Sequence, residues 1–374
     1  MNQNLKIPSN KHWTSTPEAQ IELQQAVRRI LERGNFTLGA EVEAFEREFS
    51  AFCGVQGIGV GSGTDAIALG LMAGEIGLGD EVLLPTFAPA GTITGILCTG
   101  AKPVLIDITA DFEIDLNKAQ EAITERTRAV VCVHLFGRMN NMQAIGRLAK
   151  SFNLWVVEDC AHAHGAMLFE SGAQVWQPAG CIGDAAAFSF YPTKNLAACG
   201  DGGFCATKHA ELLPKLKALR QYGWTRRDHA EVVGRNTRLD EIQAGILRVG
   251  LRSLLERNQR RRMIAAIYHN LLLTVTRAEL TLPPQSDPER ILVFHQYVIQ
   301  SDQRDRVIAR LATHGIGYGI HYPPLHKQPA FEVYGGSRPY AVAERIASRV
   351  VSLPMFPELS NKQIEIICEA LNTF

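Results

Sequence analysis

No apolar run in this 374-residue chain is long enough to cross a bilayer, and no part of it is repetitive or of low complexity. Those absences argue against a helical membrane anchor and against a repeat architecture. An excess of one charge is also missing. Lys+Arg and Asp+Glu number 38 each, so the chain lacks the basic bias of a nucleic-acid binder. A local basic cluster, Arg257 to Arg262, reads as the solvated face of a long helix. The eight cysteines form no C-x-x-C pair and no zinc-like spacing. Several, such as Cys98 and Cys132, lie in apolar segments where cysteine acts as a small hydrophobe. A reduced, cytoplasmic protein is therefore expected. The first twelve residues lack the apolar core of a signal peptide. What is present is ordinary for a globular protein, 46% hydrophobic and 20% charged residues, with length for two domains.

From about Val55 to about Thr207, short apolar runs alternate with helical periodicity. V-Q-G-I-G-V, E-V-L-L-P, K-P-V-L-I-D-I, R-A-V-V-C-V-H-L-F and L-W-V-V-E-D read as strands, with helices between them, among them Leu116–Ile123 and Met142–Phe152. The strands are continuous rather than alternating, the pattern of strands buried on both faces of a mostly parallel sheet covered by helices. Ligands of such sheets bind outside the carboxyl ends of the strands. After Gly223 a long helical stretch runs from Arg238 to about Tyr268. It leads to a smaller C-terminal part with strand-like F-H-Q-Y-V-I-Q, a helix over Arg304–His314, and a His/Tyr/Pro-rich loop from Gly319 to Pro329. The polar, Pro-rich segment Pro283–Arg290 is expected to be a loop.

Three pieces carry chemistry. The loop Gly59–Ala66, G-V-G-S-G-T-D-A, joins a strand to a helix and would aim helix N-terminal amides at an anion such as a phosphate monoester. By itself it is also a plain tight turn, and it matches neither the dinucleotide fingerprint nor a P-loop. Asp159 ends a strand, where aspartate commonly caps a helix or a turn. Lys194 follows the apolar strand A-A-A-F-S-F and precedes a Gly-rich stretch, and Ser189 is the hydroxyl of that strand, either a satisfied core serine or a phosphate ligand. A strand-end acid with a lysine in such a turn is what pyridoxal phosphate (PLP) chemistry needs. The acid keeps the pyridine nitrogen protonated and the lysine amine forms the Schiff base.

Taken together and in order, V-G-S-G-T-D-A, G-D-E-V-L-L-P, V-E-D-C-A-H-A-H-G, G-D-A-A-A-F-S-F-Y-P-T-K-N-L, N-T-R-L-D-E-I-Q-A, G-I-H-Y-P and S-L-P-M-F-P resemble the PLP-dependent sugar aminotransferases of the DegT/DnrJ/EryC1/StrS family over nearly the full chain. The resemblance implies fold type I of the PLP-dependent transferases. That is a three-layer α/β/α large domain over residues 1–250, whose N-terminal segment can pack on the small domain, and a smaller α+β domain over 251–374.

It further implies Lys194 as the Schiff-base lysine, Asp159 as partner of the pyridine nitrogen, and Gly63, Thr64 and Ser189 as phosphate ligands. His162 stands where a residue, often Gln, contacts the ring hydroxyl. Asn236 matches an asparagine that reaches the phosphate from the neighbouring subunit, which implies a homodimer with composite sites. Phe87, Tyr191, His321 and Tyr322 are candidates for the substrate side. No metal is implied, because His162 and His164 find no further ligands.

Two departures matter. Pro89 stands where relatives carry an aromatic that stacks on the ring, and Phe87 could take that role if the strand alternates. The loop at His321 and Tyr322 is one residue shorter than in the family. The implied reaction moves an amino group from L-glutamate to a nucleotide-linked keto sugar, with 3-keto, dTDP-linked 6-deoxyhexoses favoured over 4-keto ones. A cyclitol aminotransferase and a non-catalytic regulator are the alternatives. Arg226, Arg227, Arg235 and Arg238 are candidates for anion contacts.

Overall fold

The computed structural model describes residues 6–15, 17–275, 280–285 and 287–372. Two helices come first, α1 (Pro17–Arg33) and α2 (Ala40–Cys53). Then β1 (Gln56–Val60), α3 (Gly63–Ala73), β2 (Glu81–Pro85), α4 (Ala90–Leu97), β3 (Lys102–Ile106), α5 (Leu116–Glu121), β4 (Thr127–Val133), α6 (Met142–Phe152) and β5 (Trp155–Asp159) alternate. A hairpin of β6 (Met167–Glu170) and β7 (Val175–Pro178) leads to β8 (Ala185–Ser189) and β9 (Gly203–Thr207).

Seven of these strands form one sheet in the order β1-β9-β8-β5-β4-β2-β3. It is parallel except at β9, which runs antiparallel to β1 and β8. The continuous apolar runs have a direct cause. Val130 and Cys132 of β4 point into one core with Phe45 and Phe49 of α2. Ala129, Val131 and Val133 point into the other, with Ile67 of α3 and Ile93 of α4. Each fully buried Val, Leu or Phe on either face stabilises the fold by about 1.5–3 kcal/mol.

After α7 (Leu213–Leu219) comes a small exposed hairpin, β10 (Trp224–Arg226) and β11 (His229–Ala230), and then the 35-residue α8 (Glu241–Val275). The Glu241 carboxylate accepts the amides of Gly39, Glu41 and Val42, so α8 begins by capping α2 with a charge of the sign its N-terminus favours. Leu247 and Leu254 of α8 belong to the sheet's core, whereas Ile264, Tyr268 and Leu272 belong to a separate one. That second core is completed by β13 (Tyr297–Gln300), α9 (Arg304–Thr313), β14 (Val350–Leu353) and α11 (Asn361–Asn372), after the two-residue β12 (Arg290–Ile291) and with α10 (Ala341–Ala347) packed against the sheet core. The N-terminal segment joins it, because Gly315 and Gly317 bond to Lys6 and Ile7.

The segment read as a loop ends as a strand. Arg290 and Ile291 pair with β6, which pairs in turn with β7. Among the described residues no helix is long and apolar enough to cross a membrane.

Candidate active site

The carboxyl ends of β5 and β8, the start of α3 and the segment 190–195 lie together at one end of the sheet. Asp159 ends β5 and is 4% exposed. Its Oδ2 accepts the Thr92 hydroxyl at 2.7 Å and its Oδ1 the Ala161 amide at 3.1 Å. Each oxygen keeps a lone pair for a further donor, and two fixed donors hold the carboxylate in one orientation.

Beside it, the first turn of α3 forms an anion cradle. Ser62 caps the helix by accepting the Asp65 amide. The amides of Gly63 and Thr64 have no acceptor among the described residues. Ser189, at the end of β8, lies against them so closely that a Cβ on Gly63 would come within 2.6 Å of the Ser189 Cβ. Gly203 makes the same approach from β9, where a Cβ would meet the Ser62 carbonyl at 2.4 Å. These glycines let two strand ends and a helix N-terminus crowd together beside the two open amides.

Lys194 is half-buried, and its amine has no hydrogen bond or ion pair among the described residues. Burial pulls the amine down to about 8, against the opposing pull of Asp159. The cleft it opens on holds about 320 Å³ and is bounded by Tyr191, Lys194, His295, His321, Tyr322 and Ser352. His162 is buried beside it. Its Nδ1 accepts the Phe136 amide at 3.3 Å, so Nε2 carries the proton and donates to the Tyr322 hydroxyl at 3.2 Å. Burial, with Lys194, His321 and His164 nearby, pushes His162 well below the ordinary imidazole range. Burial and Lys194 bring His321 down to about 4, and its Nδ1 lies 2.8 Å from Ser352 Oγ and 3.0 Å from Gln296 Nε2.

Not every candidate converges. Phe87 is fully buried in the sheet core, where its nearest aromatic is Phe112 at 5.9 Å, and it does not line the cleft. Pro89 caps α4. Asn236 is exposed, between Arg235, paired with Asp65, and Thr237, whose hydroxyl accepts the Gly61 amide. Its side chain has no partner among the described residues. Arg226 and Arg227 are exposed, and Arg238 lies over the Tyr222 ring.

Sequence reasoning passed over Thr92, His295 and Gln296, which carry no local signature, and gave no role to Ser352 although it opens the S-L-P-M-F-P motif. It also passed over Glu158. Burial would raise this carboxyl, but His134 at 2.9 Å and the amides of Gly183 and Gly180 hold it below the usual range. Its only signal was position, next to Asp159. His134, Glu158 and Cys160 could together hold a metal by spacing. The Glu158 oxygens are already taken by three amides and an imidazole, which is a structural role.

The family model for the DegT/DnrJ/EryC1/StrS aminotransferases matches residues 17–372. The dTDP-3-amino-3,6-dideoxy-alpha-D-galactopyranose transaminase of Aneurinibacillus thermoaerophilus is 43% identical over 95% of this chain and 96% of its own. The UDP-N-acetyl-3-dehydro-alpha-D-glucosamine 3-aminotransferase of Acidithiobacillus ferrooxidans is 40% identical over 99% and 98%. The structure of DesV from S. venezuelae, in complex with a ketimine intermediate, superposes with a TM-score of 0.91 at 36% identity, covering 98% of this chain and 97% of that one.

Proposed function

We propose, from the premise that this chain belongs to the DegT/DnrJ/EryC1/StrS aminotransferase family, that it moves an amino group from L-glutamate to a nucleotide-linked 3-keto-6-deoxyhexose. The protein is a PLP-dependent aminotransferase. The sugar, the nucleotide and the residue roles are the reading offered here. Both named relatives carry their amine at C3, which favours a 3-keto acceptor over a 4-keto one. We take dTDP as the nucleotide from the first of them.

One observation carries the residue assignment. A lysine amine lowered to about 8, with no partner among the described residues, lies within the electrostatic pull of the buried Asp159, at the same end of the sheet as a helix N-terminus with two open amides. Those are the groups PLP requires, and the crowding at Gly63 and Gly203 leaves no room for side chains beside the open amides. PLP, when bound, supplies an electron sink for the carbon that gains or loses the amine. The chain's own residues do the rest. Gly63, Thr64 and Ser189 hold the phosphate. Asp159, fixed by Thr92, holds a proton on the pyridine nitrogen, since an anion there raises that nitrogen's pKa. His162 donates from Nε2 toward the ring hydroxyl or Tyr322. Lys194, neutral in part at neutral pH, would hold the cofactor covalently and, once freed, would move the proton at the reacting carbon.

We assign the working form as a cytoplasmic homodimer. Asn236 is exposed and unpaired in a stretch whose Val233 is 88% exposed, an arrangement suited to reaching a second subunit's phosphate site. All eight cysteines are free, which suits a reducing compartment.

The test is an absorbance spectrum of the PLP-loaded enzyme with L-glutamate, followed by dTDP-linked 3-keto and 4-keto sugars. Glutamate should remove the visible band, and the 3-keto sugar should restore it. Lys194→Ala should lack that band and all turnover. Wild-type turnover in this variant, or a band that only the 4-keto sugar restores, overturns the corresponding assignment.

A further inference from the structure

His295 is 5% exposed and borders the cleft beside Lys194, yet no motif marks it. Its ring lies 4.3 Å from that of His162, centroid to centroid. Behind it runs a buried relay of two amides whose orientation leaves no choice. Asn258 donates from Nδ2 to the His164 carbonyl at 2.7 Å, so its Oδ1 faces Asn195. Asn195, the residue after Lys194, donates from Nδ2 to that Oδ1 at 2.9 Å and to the Val293 carbonyl at 3.1 Å. Both of its amide hydrogens are then used, and its Oδ1 faces His295 Nδ1 at 3.1 Å. An amide oxygen can only accept, so Nδ1 must be the protonated nitrogen.

Burial, with His162, Lys194 and Arg261 nearby, keeps the ring neutral by pushing its protonation well below the ordinary range. Nε2 is therefore a bare lone pair. It has no partner among the described residues and is not sealed inside the protein, so it opens on the cleft. The backbone is pinned as well. Arg261 donates to the carbonyls of Phe294, His295 and Met355.

We propose that His295 is a substrate-contacting residue whose Nε2 accepts a hydrogen bond from a hydroxyl of the sugar, and that Asn195 and Asn258 are positioning residues that fix its tautomer. This rests on the function proposed above. The same cleft must take two unlike substrates in turn. Glutamate, once its amine faces Lys194, offers only carboxylates, which a lone pair repels. A keto sugar offers hydroxyl donors. A fixed acceptor thus serves the second substrate and not the first.

The test separates the two half-reactions by single-turnover absorbance on PLP-loaded enzyme, with L-glutamate and then the dTDP-linked 3-keto-6-deoxyhexose. His295→Phe should slow the sugar half-reaction about tenfold more than the glutamate half-reaction, and His295→Gln, which can restore an acceptor, should recover most of that difference. Equal slowing of both, or of neither, overturns the contact.

A second readout needs no substrate. In 15N-histidine NMR of the PLP-loaded enzyme, one resonance pair absent from the His295 variants should show protonated Nδ1 and bare Nε2. Asn195→Leu should release that preference. A proton on Nε2 in the wild type overturns the relay. If the wild type aminates no nucleotide keto sugar, the proposed function fails and the contact with it, while the NMR still judges the tautomer.

Discussion

The two edges of the central sheet treat charge in opposite ways. At the amino edge, Glu81 opens β2 and is 3% exposed, but every demand of its carboxylate is met. Thr124 donates at 2.6 Å, Arg126 at 2.9 Å and Lys102 at 3.3 Å. Burial alone would raise this carboxyl, and the three donors instead bring it down to about 2. At the carboxyl edge, among the described residues, the Lys194 amine has no partner, two α3 amides have no acceptor, and His295 Nε2 is bare. Both edges are equally well built. Unfilled bonding capacity, rather than the mere presence of charged residues, is what sets the proposed site apart.

Replacing Asp159 should break that contrast most severely. Asp159→Asn keeps the shape and the Thr92 contact but removes the anion, and turnover should fall on the order of a hundredfold, as when other preorganised electrostatic groups are removed. Steady-state rates with saturating PLP check it. An unchanged rate would detach Asp159 from the chemistry.

Lys194 makes the contrast one of stability. Its amine titrates at about 8 in the folded protein and at 10.5 as a free side chain. Between those values the unfolded chain binds more protons, so stability of the PLP-free protein rises with pH across that window. Below it, burying the charge costs stability in full. Lys194→Met should therefore stabilise the PLP-free protein by about 1–3 kcal/mol below pH 8, an advantage that fades toward 10.5. Urea unfolding at several pH values measures it. A variant no more stable than wild type at neutral pH would mean that the amine is as well solvated as a surface lysine.

Glu81 should show the reverse sign and the smallest effect. Its carboxyl is depressed on folding, so its contribution is present above 4.5 and is lost as pH falls toward about 2. Its lysine and arginine partners are largely exposed, which limits the gain. Glu81→Gln should cost about 1–2 kcal/mol at neutral pH, with the difference from wild type closing below pH 4.5. A gap that does not shrink as pH falls from 4.5 to about 2 would assign the loss to packing rather than to charge.

The sheet was legible because each strand is short, apolar and buried on both faces, as Val82 and Leu83 of β2 show by pointing into different cores. The hairpin of β6 and β7 and the two-residue β12 were not. They are two to four residues long, and β12 joins its sheet only by pairing with β6 across more than a hundred residues of sequence. Asp159 and Ser189 could be picked out because each puts a polar group at the end of an apolar strand, and Lys194 because it follows such a strand and precedes a Gly-rich stretch. Thr92 could not, because a threonine in a helix whose hydroxyl reaches an acid 67 positions away looks like any other. Phe87 shows the converse. Alternation along a strand suggested a place facing the ring, but the residue follows the strand, where packing against Phe112 and the sheet core set its direction.

The sequence by itself determined which residues could carry the chemistry, since an acid at a strand end and a lysine in a polar turn after an apolar strand are properties of local order. It also determined the layered fold, since strand burial is written in composition. Only the tertiary structure decided protonation and direction. Whether Lys194 is charged, which nitrogen of His295 bears the proton and which amides of α3 stay open depend on neighbours brought from α4, α8 and the segment 292–296. Burial and hydrogen bonding act through space and do not follow chain order.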